Sequence, residues 1–270
     1  MNGESSSLPV GEGCPQPVDL PRLRVACASC SLRELCLPAG LAAPELEKLD
    51  RLVSQRRRLR KGEPLYRAGM PLAALYAIRS GFFKSCVLHE DGREQVAGFH
   101  MMGDLLGLDG IGGQRHASDT VALEDSEVCE MPFPLLEQLS RELPCLQQQL
   151  HRVMSREIIR DQGVKLLLGS MRAEERIAAF LLNLSQRFAL RGYSATEFNL
   201  RMTRQEIGSY LGLKLETVSR TLSDLQRRGL IEVSQRHVRI IDMPRLRAVL
   251  EPSRQPRAAH RRAARGLKTL

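Results

Sequence analysis

The stretch Met202-Thr203-Arg204-Gln205-Glu206-Ile207-Gly208-Ser209-Tyr210-Leu211-Gly212-Leu213-Lys214-Leu215-Glu216-Thr217-Val218-Ser219-Arg220-Thr221-Leu222 decides how the C-terminal part of this chain folds. Thr203, followed three places later by Glu206, is a capping box that starts a helix. Ile207, Tyr210 and Leu211 give that helix a buried face, and Gly212 permits a tight turn. A second helix follows over residues 215–228, burying Val218, Leu222 and Leu225. Helix, glycine turn, helix is the helix-turn-helix arrangement, whose second helix enters the major groove of DNA. Gly229 ends it, and residues 230–233 and 237–241 read as the hairpin of an adjacent wing.

Opposite the buried face of the second helix, Glu216, Ser219 and Arg220 lie at i, i+3 and i+4 and project together. Arginine matches the O6/N7 edge of guanine through two parallel hydrogen bonds, glutamate accepts from the cytosine amino group, and serine reaches a phosphate or a base edge. Alone, Glu216 and Arg220 would be an ordinary surface pair worth a few tenths of a kcal/mol. Their setting changes that. The chain has 270 residues and a net charge of +9, but residues 168–270 carry 20 basic and 9 acidic side chains, while residues 1–167 are net −2. One end is built to meet a polyanion, so the expected partner is double-stranded DNA.

Upstream, residues 173–188 read as a helix. Before it, Leu146, Leu150, Val153, Met154, Ile158, Asp161 and Lys165 recur every three to four residues between Cys145 and Met171, without a proline. Such a helix between two compact units suits pairing with its twin in a homodimer. Residues 58–131 have another texture: short apolar segments such as 75–79, 82–88 and 94–99, cut by glycines, fit a small antiparallel barrel or jelly roll. The expected fold is therefore α+β, with an N-terminal double-stranded β-helix (jelly-roll) sensor domain, a long dimerisation helix and a C-terminal winged helix-turn-helix. The divisions fall at residues 1–20 (tail), 21–140, 141–171, 172–250 and 251–270 (basic tail). No apolar run reaches the length of a membrane span and the first residues hold no signal-peptide core, so the expectation is a cytoplasmic protein with no membrane contact.

Seven cysteines in such a chain are expected to stay reduced. Cys27-x2-Cys30-x5-Cys36 has metal-ligand spacing; Cys129, Cys86, Cys14 or Cys145 could complete a four-sulfur set, and spacing alone fits zinc as well as iron–sulfur. The six histidines are dispersed and no HExxH or nucleophile motif is present, so an enzyme is not expected.

Cys27, Cys30 and Cys36 with a lone Cys129, Gly98-Phe99-His100 followed by Gly103-Asp104-Leu105, and Glu216-Thr217-Val218-Ser219-Arg220 closely resemble the Crp–Fnr regulators, and within them the Fnr/Anr type. The resemblance covers roughly residues 20 to 245. It implies one [4Fe–4S] cluster per subunit on Cys27, Cys30, Cys36 and Cys129, degraded by oxygen. It also implies a homodimer that binds DNA while the cluster is intact, and Glu216, Ser219 and Arg220 as readers of a TTGAT…ATCAA-type palindrome. Asp161 matches an acidic position of the dimer helix, so Met154, Ile158 and Asp161 form the expected dimer switch; Lys165 departs from the apolar residue expected there. Ser31 and Leu35, beside ligands, are candidates for tuning oxygen access. The Arg-Ser-Ala run of the cyclic-AMP branch is replaced by Gln114-Arg115-His116-Ala117-Ser118, so no cyclic nucleotide is expected. Loops at residues 70–73, 90–93 and 112–118 stand where the family meets RNA polymerase. The alternative is a zinc-stabilised, ligand-sensing member without a redox cluster.

Overall fold

The computed structural model describes residues 27–53, 55–88 and 92–251, so the expected tails, apart from Glu251, and Cys14 lie outside the described residues. After two short 3-10 turns, Cys27–Ser29 and Arg33–Leu35, comes α1 (Ala43–Leu52). Eight strands follow: β1 (Gln55–Leu59), β2 (Pro64–Tyr66), β3 (Ala74–Ser80), β4 (Phe82–Leu88), β5 (Glu94–Met101), β6 (Leu105–Leu106), β7 (Asp119–Ala122) and β8 (Ser126–Pro132). They form two four-stranded antiparallel sheets, β1-β8-β3-β6 and β2-β7-β4-β5. Helices α2 (Phe133–Glu142), α3 (Pro144–Ser170) and α4 (Ala173–Ala189) lead to β9 (Glu197–Asn199), α5 (Arg204–Leu211), α6 (Leu215–Arg227), β10 (Ile231–Ser234), β11 (His237–Ile240) and α7 (Met243–Ala248). The jelly-roll, long-helix and winged helix-turn-helix expectation holds. Elements missing from the sequence reading are α2, α7 and β9, the last adding a third strand to the wing sheet β10-β11-β9. The division expected after residue 140 falls inside α2, and Leu143 separates α2 from α3.

Three apolar clusters follow from period-2 alternation. In β3, Ala74, Tyr76 and Ile78 point between the two sheets, where they meet Phe83, Val128 and Leu59. The alternate residues Leu75 and Ala77 point outward and are covered by Leu46 and Leu49 of α1 with Met131, Leu136, Leu146 and Val153. The other sheet buries its outer face differently. Cys86 opposes Val96 while Ser85 opposes Gly98, so Ala97 is an extra residue and β5 is bulged. The bulge brings Val96 and Phe99 to one face with Met101, and this face is covered by α4 and the helix-turn-helix.

The long α3 divides in two. Leu146, Gln149 and Val153 are buried against the sandwich, whereas Ile158, Ile159 and Leu166 in the second half are 57–64% exposed. At its end Arg176 acts as a hinge clamp. Its guanidinium donates to the carbonyls of Met171 (2.9 Å) and Leu168 (2.8 Å) at the C-terminus of α3, and to that of Leu211 (2.9 Å) at the C-terminus of α5. Carbonyls left without partners by both helices are satisfied by one cation.

The helix-turn-helix is built as its residues dictate. Thr203 Oγ1 accepts from the Glu206 N–H at 3.2 Å, and the Thr203 N–H donates back to Glu206 Oε2 at 2.7 Å. Gly212 takes φ +62°, closing the turn. Gly208 is equally constrained, because a Cβ there would lie 2.5 Å from the Leu213 carbonyl oxygen. Gly208→Ala is therefore expected to force the turn open and lower stability by about 1–3 kcal/mol, read as a lower urea midpoint; an unchanged midpoint would show that the turn relaxes freely.

Candidate DNA-reading surface and cysteine pocket

Helix α6 buries Val218, Thr221, Leu222 and Leu225 and exposes Glu216 and Arg220, with Ser219 half-buried beside them. Neither Glu216 nor Arg220 forms an ion pair or hydrogen bond with another described residue, so both heads are free to meet a base edge. Ser219 is held: Arg204 on α5 donates to its Oγ at 3.3 Å. Sequence reasoning missed that buttress; Arg204 was only a residue of the quoted stretch. Exposed Lys214 and Arg227 flank the reading face, and Arg236 stands at the tip of the wing hairpin.

Cys27, Cys30, Cys36 and Cys129 border one small apolar pocket with Leu32, Leu37, Leu49, Val53, Ile78 and Met131. Cys129 arrives from β8, where it opposes Ala77 of β3 and Arg56 of β1. The others come from the turns before α1; the Cys27 N–H donates to Asp50 of α1 at 2.5 Å. Burial pushes the Cys36 thiol up to about 12, with Cys129 and Cys30 adding to the effect, and pushes Cys27 and Cys129 upward too. Thiols that line one apolar pocket ionise together only beside a strong positive centre, which suits thiolate ligands of a metal group. Among the described residues no three Cys, His, Asp or Glu side chains gather tightly enough to hold one ion. Iron–sulfur clusters bind about one thiolate per iron, so their ligands need not converge on a point. Of the other cysteines, Cys86 is buried in the core beneath the helix-turn-helix and Cys145 is exposed on α3, both away from this pocket.

Two contacts carry the cysteine turn onto α3 and onto the turn after β5. Gln149 of α3 donates to the Cys36 carbonyl at 3.4 Å, and Leu35 packs on Gly103, where an added Cβ would meet the Leu35 Cβ at 3.0 Å. Leu35 thus links the cysteine turn to the Gly103-Asp104-Leu105 turn, and Ser31 is exposed. Asp104 in that turn is buried and accepts from Arg187 Nη2 (2.5 Å) and Arg191 Nη2 (2.8 Å), with Arg160 of α3 at 3.7 Å. Burial alone would raise its pKa, but the three guanidiniums override it and hold the carboxyl down at about 2. Nearby, the helix-turn-helix docks on β4 and β5. The Val96 N–H donates to Ser209 Oγ at 2.9 Å, Lys84 pairs with Glu206 at 3.2 Å, and Tyr210 packs on Phe99 at 5.1 Å between centroids.

The loops at 70–73 and 112–118 turn out to be one surface: the His116 N–H donates to the Met70 carbonyl and the Leu72 N–H to the Gln114 carbonyl. Half of the 90–93 loop, residues 90 and 91, lies outside the described residues. In the 112–118 loop the Ala117 and Ser118 N–H groups and the Ser118 hydroxyl all donate to one oxygen of Asp109, at 2.9–3.0 Å. No helix of the described residues is long and apolar enough to cross a membrane.

A jelly-roll sandwich joined by a long helix to a winged helix-turn-helix with a free reading face defines a DNA-binding transcription regulator. Residues 175–249 match the family described as Crp-like helix-turn-helix domain, and residues 56–142 the family described as Cyclic nucleotide-binding domain. The chain is 51% identical over 224 residues to the transcriptional regulatory protein btr of Bordetella pertussis, covering 83% of this chain and 93% of that protein. It is 49% identical over 216 residues to the fumarate and nitrate reduction regulatory protein of Escherichia coli K12, covering 80% and 86%. Its fold is similar to that of FixK2 from Bradyrhizobium japonicum, with a TM-score of 0.67 and 32% identity over 72% of this chain and 96% of that one. The chain belongs to the Crp–Fnr family of transcription regulators. Its relatives are regulators, and it is not an enzyme.

Two outcomes follow from the buried polar groups. Asp104→Ala leaves three guanidiniums around an empty centre and is expected to cost about 3–5 kcal/mol, measured by urea unfolding. His100 is partly buried, and its desolvation lowers the pKa from 6.5 to about 4, so the folded chain holds it neutral while the unfolded chain protonates. Its contribution is complete above pH 6.5 and is lost as pH falls toward about 4. Urea midpoints should drop through that window, and less steeply in His100→Asn.

Proposed function

We propose that this chain is an oxygen-responsive regulator, mainly an activator of anaerobic genes, that acts in the cytoplasm as a homodimer on a palindromic TTGAT…ATCAA-type site. Cys27, Cys30, Cys36 and Cys129 hold one [4Fe–4S] cluster per subunit in this reading, which supplies an oxygen-reactive iron–sulfur centre. The observation that carries it is the opening of four thiols, from two distant segments, onto one apolar pocket, in a chain 49% identical to a fumarate and nitrate reduction regulatory protein.

The residues divide the work. The cysteine turn bears on α3 through Gln149 and on the Asp104 turn through Leu35, so a change of fit at the pocket is felt where the sandwich, α3 and α4 meet. The second half of α3 offers Ile158, Ile159 and Leu166 to a twin helix, with Met154 and Asp161 on the same stretch. Two Asp161 carboxylates brought together there repel and lose hydration, which keeps the pairing marginal and therefore switchable; Lys165, one turn on, offsets part of that. Arg220 takes the guanine of each half-site, Glu216 steadies the choice of base, and Ser219 meets the strand beside it. Residues 21–140 serve as the sensor, 141–171 as the dimer helix and 172–250 as the reader. The surface formed by residues 70–73 and 112–118 faces RNA polymerase. A cyclic nucleotide is not part of this reading, because Asp109 already occupies the donors of Ala117 and Ser118 that a phosphate would need.

The test is a visible spectrum of protein purified without oxygen, repeated in air, with iron, sulfide and zinc assayed on the same sample. A broad band near roughly 400 nm that changes in air, with about four irons per chain, is the expected result. Colourless protein with one zinc would overturn it. Asp161→Ala is expected to sediment as a dimer and bind DNA in air; unchanged monomer behaviour would contradict the switch. Arg220→Ala should lose about 1–3 kcal/mol of discrimination for the guanine position, read by gel shift with single-base operator variants.

A further inference from the structure

At the junction of the sandwich, α3 and α4 lies a cavity of about 140 Å³ lined by Arg156, Arg160, Arg187 and Arg191, with Asp104 and Glu157 as its carboxylates. Four guanidiniums face two carboxylates, and the carboxylates are already in use. Asp104 accepts from the Met101 N–H (2.9 Å) as well as from Arg187 and Arg191, and Glu157 accepts from Arg160 Nη1 at 3.0 Å. Arg187 is buried, at 9% exposure, and donates through Nη1 to the Phe99 carbonyl, yet its Nε has no partner. Arg156, exposed at the rim on the same face of α3 as Arg160, has no carboxylate partner among the described residues. Two of the four positive charges have no carboxylate to balance them, and Arg156 at the open rim is free to meet an anion.

We propose that this cavity is a binding site for a small tetrahedral oxyanion of the phosphate class. At about 30 Å³ of liquid per water, the space equals several waters, room for such an ion or for the terminal phosphoryl group of a larger molecule. Guanidinium groups suit it, since their planar N–H forks pair with phosphate oxygens. The ion would bridge Arg156 and Arg160 on α3 to Arg187 and Arg191 at the end of α4, and so fix the reader against the dimer helix. This site is separate from the 112–118 turn, whose donors Asp109 occupies, and it borders the cysteine turn through Leu35.

The test is isothermal titration calorimetry of the full chain at constant ionic strength in chloride, with inorganic phosphate and, separately, glycerol 2-phosphate. Saturable binding of about one ion per chain is expected. Arg156→Gln, at a rim position with no role in the fold's ion pairs, should weaken it about tenfold or more, the value of one charge-assisted contact. Arg156→Lys should retain most of it, and Arg152→Gln, on α3 outside the cavity, should change nothing. Tighter binding of the monoester would identify a phosphoryl group on a larger molecule as the ligand, and binding of phosphate alone a free ion. Absence of saturable heat for both probes, or equal binding by Arg156→Gln and the parent chain, would overturn the proposal.

Discussion

One buried carboxylate sets how the parts of this molecule sit together. Asp104 lies in a turn of the sandwich, but its partners come from α3 and from the end of α4, with distances of 2.5–3.7 Å. A charge taken out of water tolerates few arrangements, because any that loses a partner leaves an ion uncompensated in a poorly polarisable interior. The Asp104 turn also touches Leu35, next to Cys36. Sandwich, α3 and the segment after α4 therefore share a single electrostatic constraint, and the cysteine turn packs on it through Leu35, though the four lie far apart in sequence.

The sandwich suits this arrangement because both sheets are buried on two faces. One outer face carries α1, α2 and the first half of α3, with the cysteine turns; the other carries α4 and the helix-turn-helix. The bulge at Ala97 matters in the second case, since without the extra residue Val96 and Phe99 could not share a face. The cysteine turns and the helix-turn-helix thus cover opposite sides of the same thin structure, and α3 runs past both.

Much of this was legible locally. The capping box, the glycine turn and the apolar spacing of α6 are statements about neighbours within a few residues, and the structure reproduces them at Thr203, Gly212 and Val218. The separation of Cys129 from the other thiols was visible only through family resemblance, because nothing in β8 alone marks one strand residue as facing residues 27–36. The partners of Asp104, Arg160 and Arg187 on helices and Arg191 just past α4, carry no local signal, since periodicity reports which side of a helix is apolar and not which distant acid waits there. Tyr210 was counted with the interior of its own domain; it reaches Phe99 across the junction. The stripe on α3 looked uniform in sequence and is not: its first half is spent on the sandwich and only its second half remains open.

The edge strand β1 has a consequence of its own. Among the described residues it pairs on one side only, with β8, and carries Arg56, Arg57 and Arg58 in succession, of which Arg56 pairs with Glu127 and Arg57 donates to the Leu65 carbonyl. An uncharged rim would invite the same rim of a neighbouring copy to add on, strand after strand, toward insoluble material. Three consecutive guanidinium-bearing residues make such end-on growth repulsive at low salt. At high salt the protection weakens, so concentrated stocks of this protein should keep best in dilute buffer, in contrast to proteins whose colloidal stability rests on polar but uncharged rims.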